Sequence, residues 1–245
     1  MKLCIVIPAY NEAPVIEATL RALSTALEQA LPNAWEIVVA DNASTDGTGD
    51  AARLFAHPHI RVEHITKKGK GNALRQAFAK CDAEFVGFTD ADLSVPPEEI
   101  AAFAKSFIAN PRGVLIGSRL HKESKMPGRE WWRIGSSRIF NILSRTILGV
   151  RVSDTQCPLK LMDSKGLRVM LATKEDTWFF DLEWISLLEH LNIPITEVPV
   201  TWDEHRYPNR KSKLSTVKDG VRAVIAMFRI RSRAPAQLAV LQNLG

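Results

Sequence analysis

Two aspartates stand two residues apart where an apolar segment ends, in the run Thr89-Asp90-Ala91-Asp92. Because side chains alternate along an extended chain, both carboxylates point to the same side. Carboxylates this close repel each other unless a cation lies between them, and a hard, oxygen-ligated ion such as Mg²⁺ suits them together with substrate phosphates. An isolated Asp-x-Asp pair is more often an ordinary acidic turn, so both interpretations stay open.

Two other apolar segments also end in polar clusters. The first is followed by Pro8-Ala9-Tyr10-Asn11-Glu12, and the second by the stretch 41–48, which begins Asp41-Asn42. Each cluster alone is equally well explained as turn and helix-capping chemistry. Ligands of open α/β sheets bind beyond the carboxyl ends of the strands, so three such clusters in register favour a binding site.

Basic residues accompany these clusters. Lys67-Lys68-Gly69-Lys70 precedes a helix, where a phosphate could bind at the amino end, although the spacing is not that of a P-loop. Arg119 closes a later strand, and its planar fork suits phosphate oxygens. A solvated basic surface is the alternative for each of these cations. The loose cations further along the chain are Arg129, Arg133, Arg206, Arg210, Lys211 and Lys213.

The elements that must position these residues alternate between short apolar runs and amphipathic segments. This βαβα order predicts an α/β fold with a mainly parallel sheet covered by helices on both faces. After a polar, basic loop over 119–133, the pattern changes to α+β elements that complete the domain. The predicted helices span 13–31, 46–56, 71–80, 97–110, 133–148, 165–172 and 182–191, and the predicted strands 3–7, 36–40, 60–65, 85–88, 114–116, 159–162 and 195–202.

The composition describes an ordinary globular chain of 245 residues, 46% hydrophobic and 24% charged. No run approaches the roughly 20 apolar residues of a membrane span, and the start is not a signal peptide, so we expect a cytosolic protein. The three cysteines are few and far apart, which predicts reduced, mostly buried thiols. Residues 118–245 carry 21 Lys and Arg against 13 Asp and Glu, so the second half expects an anionic partner.

Taken together, the motifs resemble glycosyltransferase family 2, and within it the polyprenyl-phosphate sugar synthases, over about residues 2–231. The run Asp154-Thr155-Gln156-Cys157, followed by Lys160, resembles the dolichyl-phosphate glucosyltransferases more than the mannose synthases. The matching stretches are 8–12, 41–48, 68–73, 90–93, 117–119 and 154–157.

The resemblance implies a GT-A fold, the Rossmann-like fold of nucleotide-diphospho-sugar transferases. It implies one catalytic domain over 1–231, with a nucleotide-sugar half over 1–118, an acceptor and membrane-facing half over 119–231, and a weakly ordered extension over 232–245. The implied reaction is an inverting transfer of a hexose, glucose from UDP-glucose, to a polyprenyl phosphate. The enzyme would use Mg²⁺ or Mn²⁺ and sit at the inner face of an anionic membrane.

The resemblance also implies roles for individual residues. Asp154 and Asp92 are the catalytic candidates, and Asp154 is either a general base or an orienting group. Asn42 and Pro158 depart from the acidic residue and the glycine common in the family, which leaves the nucleobase and the sugar open. The donor would contact Pro8, Tyr10, Glu12, Asp41, Lys70, Asp90 and Arg119; the metal Asp90, Asp92 and Ser94; and the acceptor phosphate Arg129, Arg133 and Lys213, with Arg119 a candidate for the acceptor phosphate as well.

Several alternatives remain at this point. A phosphate acceptor has a second pKa near 6 and needs a base less than a saccharide hydroxyl does. Three other functions stay open: transfer to a saccharide hydroxyl, transfer from GDP-mannose, and a non-catalytic nucleotide-binding scaffold. Nucleic acid is disfavoured, because the aromatic residues do not interleave with the basic ones. Amphipathic segments after Trp131-Trp132 and over 216–231 could lie in a membrane interface or pack on the core.

Overall fold

A computed structural model describes residues 1–127, 131–203 and 216–243, with the backbone alone at 131–139 and 216–219. Within this part of the chain, seven strands form one sheet in the order β3-β2-β1-β4-β6-β5-β7. Only β6 runs antiparallel to its neighbours, which confirms the mainly parallel sheet. The strands are β1 (Leu3–Ala9), β2 (Trp35–Asn42), β3 (Ile60–Ile65), β4 (Phe85–Phe88), β5 (Val114–Ser118), β6 (Lys160–Met162) and β7 (Ile195–Pro199).

Helices flank the sheet, and the predicted helices are all found with small differences at their ends. Pro97 and the acidic residues after it begin α4, while the Asp163 carboxylate caps α6 by accepting from the Lys165 and Gly166 amides. No helix in the described parts of the chain is long and apolar enough to cross a membrane. The helices are α1 (Ala13–Ala30), α2 (Thr48–Leu54), α3 (Lys70–Phe78), α4 (Pro97–Ala109), α5 (Trp131–Leu148), α6 (Ser164–Ala172), α7 (Phe180–His190) and α8 (Thr216–Gln242).

Two cores form on the two faces of the sheet. Side chains alternate along β1, so Ile5 and Ile7 enter one core while Cys4 and Val6 enter the other. The first core lies under α1 and α4, and the second lies under α3, α6, α7 and α8. Burial on both faces explains why β1, β2, β4 and β5 are largely apolar, whereas the edge strands β3 and β7 are only partly buried.

The strand register brings the polar clusters to one edge. Ala9 at the end of β1 pairs with Asp41 at the end of β2, and β4 runs parallel to β1. In β6, Lys160 lies between Phe88 of β4 and Ile116 of β5. Since β6 runs the opposite way, the loop that precedes it lies at the same edge as the carboxyl ends of β4 and β5.

The structure differs from the sequence-based expectations in two places. Residues 232–242 are not weakly ordered, because α8 continues to Gln242 and its Ala234 and Leu241 are buried in the second core. Apolar side chains at helical spacing keep this segment packed. The expectation of three reduced thiols is also wrong, since a disulfide links Cys4 to Cys81 and only Cys157 is a free, buried thiol.

Candidate active site

Asp90 and Asp92 lie in the turn that follows β4. A left-handed residue, Leu93 (φ 44°), reverses the chain here, and its amide donates to the Asp90 carbonyl. Asp92 Oδ1 accepts from the amide of the buried Ser94 at 3.2 Å. From α3, the Lys70 ammonium reaches Asp90 Oδ1 at 2.6 Å. The turn therefore offers two partly exposed carboxylates with a cation beside one of them.

These residues fit a divalent cation. Carboxylates are hard oxygen ligands, and a cation of this kind takes its remaining ligands from water and substrate phosphates. Among the described residues, the one group of three side chains with ligand-type atoms close together is Cys4, Glu36 and Cys81 at the other end of the sheet, and the disulfide leaves its cysteines without a thiolate for a metal. A metal at Asp90 and Asp92 would thus be held by two carboxylates and completed by its substrate.

The loops after β1 and β2 are joined by hydrogen bonds. Asn11, in the left-handed region (φ 53°), accepts from the Thr45 amide at 2.9 Å through its side chain. The Glu12 amide donates to Thr48 Oγ1 at 2.8 Å. These contacts fix two of the three predicted clusters against each other as one wall of a site.

Asp41 stands in a cavity of about 390 Å³ beyond the end of β2. One of its carboxylate oxygens accepts from the Ser44 amide at 3.2 Å, and the other lies 3.0 Å from His64 Nδ1. Pro8, opposite Ala40 in the sheet register, belongs to the adjoining strand end. The cavity is lined by Asp41, Ser44, Thr45, Gly47, Thr48, Gly49, Asp50, Arg53 and His64.

The basic loop before α3 borders these clusters. The Gly69 amide donates to the side chain of Asn42 at 2.8 Å, and the Lys68 ammonium lies 3.5 Å from the centre of the Tyr10 ring. A Cβ on Gly69 would come within 2.5 Å of the Asp176 carbonyl oxygen, and its φ of +156° is also unfavourable for other residues. Asn42, the departure from the family pattern, therefore anchors this loop.

Asp154 is buried in the loop before β6 and is bound by Arg119 through both carboxylate oxygens. Arg119 donates from Nε at 2.7 Å, from Nη2 at 2.8 Å and from its amide at 2.9 Å. Glu197 accepts from the Asp154 and Ser153 amides. Burial alone would raise the pKa of Asp154, but the charge and hydrogen bonds of Arg119, with the charge of Lys160, hold this pKa below its usual value.

Cys157 lies three residues beyond Asp154 and is fully buried. Burial, with the nearby Asp154 charge, raises the pKa of the Cys157 thiol to about 12. The thiolate is the nucleophilic form, so this cysteine is unsuited to covalent catalysis.

The structure adds residues that the sequence did not single out. Asp181 lies 2.7 Å from the Lys160 ammonium, and Trp178, 48% exposed, has its ring centre 5.0 Å from Lys70 Nζ. His64 joins the Asp41 cavity from β3. Each is distant in the chain from the motif it contacts, so the only sequence signal available was its residue type.

The side chains predicted to bind the acceptor phosphate lie outside the part of the chain that is described with side chains. Arg129 and Lys213 lie outside the described residues, and at Arg133 the backbone alone is described. Their roles, like those of the other site residues, stay predictions.

Curated relatives resemble most of this chain. A glycosyltransferase from Haloferax volcanii (AglD) is 28% identical over 89% of the chain and 35% of its own length. Dolichyl-phosphate beta-glucosyltransferases from Trichomonas vaginalis (ALG5C) and Drosophila melanogaster are each 30% identical, over 81% and 83% of the chain. The chain spans 63% and 68% of these two proteins, so it is shorter than the relatives it matches.

Solved structures share the fold. Glucosyl-3-phosphoglycerate synthase from Mycobacterium tuberculosis, in a complex with Mn²⁺ and UDP-glucose, superposes with a TM-score of 0.68 at 19% identity, over 94% of this chain and 78% of that one. Mannosyl-3-phosphoglycerate synthase from Rubrobacter xylanophilus gives 0.69 at 18% identity, over 99% and 76%. At this identity the likeness concerns the fold, and it confirms the expected GT-A architecture.

The profile of glycosyltransferase family 2 matches residues 4–171, which include β1 to β6 and every strand end described above. The match covers well over half of the chain and contains the Asp90-Ala91-Asp92 turn as well as Asp154. This chain therefore belongs to glycosyltransferase family 2.

Proposed function

We propose that this chain catalyses an inverting transfer of a hexose, glucose from UDP-glucose, to a polyprenyl phosphate. The observation that carries the proposal is the pair of Asp154 and Arg119, in which both carboxylate oxygens are bound and the pKa of Asp154 is lowered. A general base works best with a pKa near the operating pH, so a carboxylate whose pKa is lowered and whose two oxygens are both bound by Arg119 is a poor candidate for that task.

The acidity of Asp154 discriminates between acceptor classes. A saccharide hydroxyl must lose its proton as it attacks, so it needs a competent base. A phosphate monoester has a second pKa near 6 and is largely ionised at neutral pH. In this proposal Asp154 fixes the Arg119 guanidinium, whose fork suits the acceptor phosphate, and takes no proton itself.

On the donor side, charge builds up on the departing nucleoside diphosphate. Lys70 lies beside Asp90, and Lys68 lies over Tyr10, so cations from one loop face the proposed diphosphate position. When bound at Asp90 and Asp92, Mg²⁺ or Mn²⁺ would neutralise part of the diphosphate charge. Without cations the two carboxylates would repel the donor.

The activities after which several relatives are named support the donor and the acceptor. Several curated relatives are dolichyl-phosphate beta-glucosyltransferases, and one from Pseudomonas syringae is an undecaprenyl-phosphate 4-deoxy-4-formamido-L-arabinose transferase, 30% identical over 84% of this chain. The Mycobacterium tuberculosis neighbour binds UDP-glucose with Mn²⁺. These names favour UDP-glucose over GDP-mannose for this chain, and a divalent metal of either kind.

A lipid acceptor requires contact with a membrane surface. Val221, Ile225 and Phe228 recur at helical spacing on α8, and each is 57–60% exposed. On α5, which packs against α8, Ile142 is 63% exposed. Arg222 is exposed on α8 next to this apolar stripe. Exposed apolar residues beside basic ones suit an anionic membrane interface, so we place the membrane contact on this face, at the inner leaflet.

Product formation tests the proposal directly. Purified protein would be incubated with radiolabelled UDP-glucose or GDP-mannose, Mg²⁺ or Mn²⁺, and either a polyprenyl phosphate or a saccharide acceptor. We expect label in the lipid-extractable fraction with UDP-glucose and polyprenyl phosphate, released by mild acid. Label on the saccharide alone would replace the proposal with the hydroxyl-acceptor alternative, and no transfer despite nucleotide binding would favour the scaffold.

A further inference from the structure

Lys160 is a charged residue at the centre of the sheet with no exposed surface. Its ammonium donates to the carbonyl of Thr155 at 3.1 Å and to that of Cys157 at 2.5 Å. The Asp181 carboxylate lies 2.7 Å away, and the Phe88 ring centre lies 5.2 Å away. Every polar partner of this lysine is thus either Asp181 or the backbone of the loop that carries Asp154.

Stability does not account for this pair. Removing two charges from water costs several kcal/mol per ion, and apolar replacements of buried pairs are often neutral or stabilising. Burial raises the pKa of Asp181 and the charges of Lys160 and Lys70 oppose that rise, so the ionised carboxylate depends on these two cations. A group maintained at such a cost points to a task in the surrounding structure.

The order of the strands explains where Lys160 lies. Lys160 begins β6, between Phe88 of β4 and Ile116 of β5, whose carboxyl ends lead to Asp90 and Arg119. From this position the side chain lies beneath the turn that precedes β6. The Lys160 ammonium therefore contacts that turn through two backbone carbonyls, whereas Arg119 binds the Asp154 carboxylate and Glu197 accepts from the Asp154 amide.

We infer that Lys160, with Asp181 as its counterion, is a positioning residue: it fixes the turn of residues 154–157 so that Asp154 presents Arg119 to the acceptor phosphate. Neither Lys160 nor Asp181 touches the substrate in this arrangement. The effect on turnover rests on the proposed function, whereas the effect on the turn does not.

The experiment separates positioning from folding by removing both charges at once. The variant K160M/D181N leaves no unpaired buried charge, so its thermal midpoint should return close to that of the wild type, whereas K160M alone should be clearly destabilised. The variant K160Q/D181N restores a hydrogen-bond donor without a charge. The exposed pair of Lys2 and Glu84 gives the matched control K2M/E84Q.

Amide hydrogen exchange over residues 153–159 is the readout that does not need activity. We expect exchange there to be about tenfold faster in K160M/D181N, slower again in K160Q/D181N, and unchanged in K2M/E84Q. In turnover, kcat of K160M/D181N should fall by about 10- to 100-fold while KM for UDP-glucose changes less than about twofold, since a misplaced group costs rate rather than donor binding.

The outcomes are distinguishable. If a folded K160M/D181N protein exchanges its amides over 153–159 as slowly as the wild type, the inference is overturned. It is also overturned if K160M/D181N and K160Q/D181N exchange at the same rate. If the Met variant does not fold, the Gln variant is compared with the wild type by the same criterion. Faster exchange together with an inactive wild type would leave the positioning role standing and reject the proposed function instead.

Discussion

The ammonium of Lys70 lies 2.6 Å from Asp90 Oδ1, so the first residue of α3 meets the turn after β4. Lys70 is buried, with the Phe88 and Trp178 rings on its flanks at 5.9 and 5.0 Å. A cation in such surroundings interacts more strongly with a bound anion than one in water does. Lys70, at the end of the basic loop, thus interacts directly with the turn that carries Asp90 and Asp92.

Replacing Lys70 by methionine should therefore weaken the electrostatic stabilisation of the donor diphosphate. We expect kcat/KM for UDP-glucose to fall by about 100-fold, as for other preorganised electrostatic contacts, measured under initial-rate conditions with saturating acceptor. Lys80 is exposed at the other end of α3, and K80M is the matched control that should retain wild-type rates. A K70M enzyme with wild-type kcat/KM would remove Lys70 from the donor site.

Asp92→Asn should abolish the metal-dependent part of nucleotide binding. In a thermal-shift panel, UDP at 100 times its Kd adds about 2.7 kcal/mol to the free energy of unfolding, several degrees for a chain of this size. We expect this shift to need Mn²⁺ or Mg²⁺ in the wild type and to be the same with and without metal in D92N. Wild-type behaviour of D92N would refute the metal assignment, and GDP acting in place of UDP would redirect the donor prediction to mannose.

Local patterns predicted the elements because the inner strands are buried on both faces and most helices have one apolar side. The strand ends with Asp41 and Asp90 could be placed at one edge for the same reason, since parallel strands end together. The antiparallel insertion of β6 could not be predicted, because three residues carry no signal of direction. The contacts of Asp181 and His64 were missed because they join segments that only the sheet order brings together.

The far end of α8 shows a different limit. Residues 232–242 contain Pro235, and their apolar side chains are buried only because they pack on the core formed with α6 and α7. Gln237, for example, donates to the Ala172 carbonyl at 3.1 Å. Tertiary packing decided the structure of this segment, because its apolar spacing, with Pro235 inside it, does not by itself predict an ordered helix.

Asp154 should contribute stability that depends on pH in a defined direction. Its pKa in the folded protein lies below the usual 3.8, so the contribution is fully present above 3.8 and is lost as pH falls from there through the lower pKa of the folded state. We expect D154N to be less stable by about 3 kcal/mol at neutral pH, because it leaves Arg119 without its carboxylate. The difference from the wild type in urea unfolding should shrink below about pH 4; a difference that grows on acidification would contradict the lowered pKa.

The rate of transfer should follow the ionisation of the acceptor instead of that of Asp154. We expect kcat/KM for the acceptor to decline below a pH of about 6, where a phosphate monoester becomes protonated. An acceptor phosphonate with a higher second pKa should move this limb upward, while a saccharide hydroxyl acceptor should show no such shift. A limb that stays fixed when the acceptor is changed would assign it to a protein group and restore the general-base role.

The apolar stripe on α8 gives the last prediction. Replacing Val221, Ile225 and Phe228 together by serine should leave the fold intact, because the buried face of the same helix holds Ala226 and Met227. We expect the triple variant to lose most of its flotation with vesicles containing anionic lipid, while its rate with a short, water-soluble polyprenyl phosphate stays near the wild-type value. The exposed Leu54, on α2, provides the matched control L54S. Since basic residues accompany the stripe, wild-type binding should also weaken with rising salt and on neutral vesicles; unchanged flotation of the triple variant would exclude this face as the membrane contact.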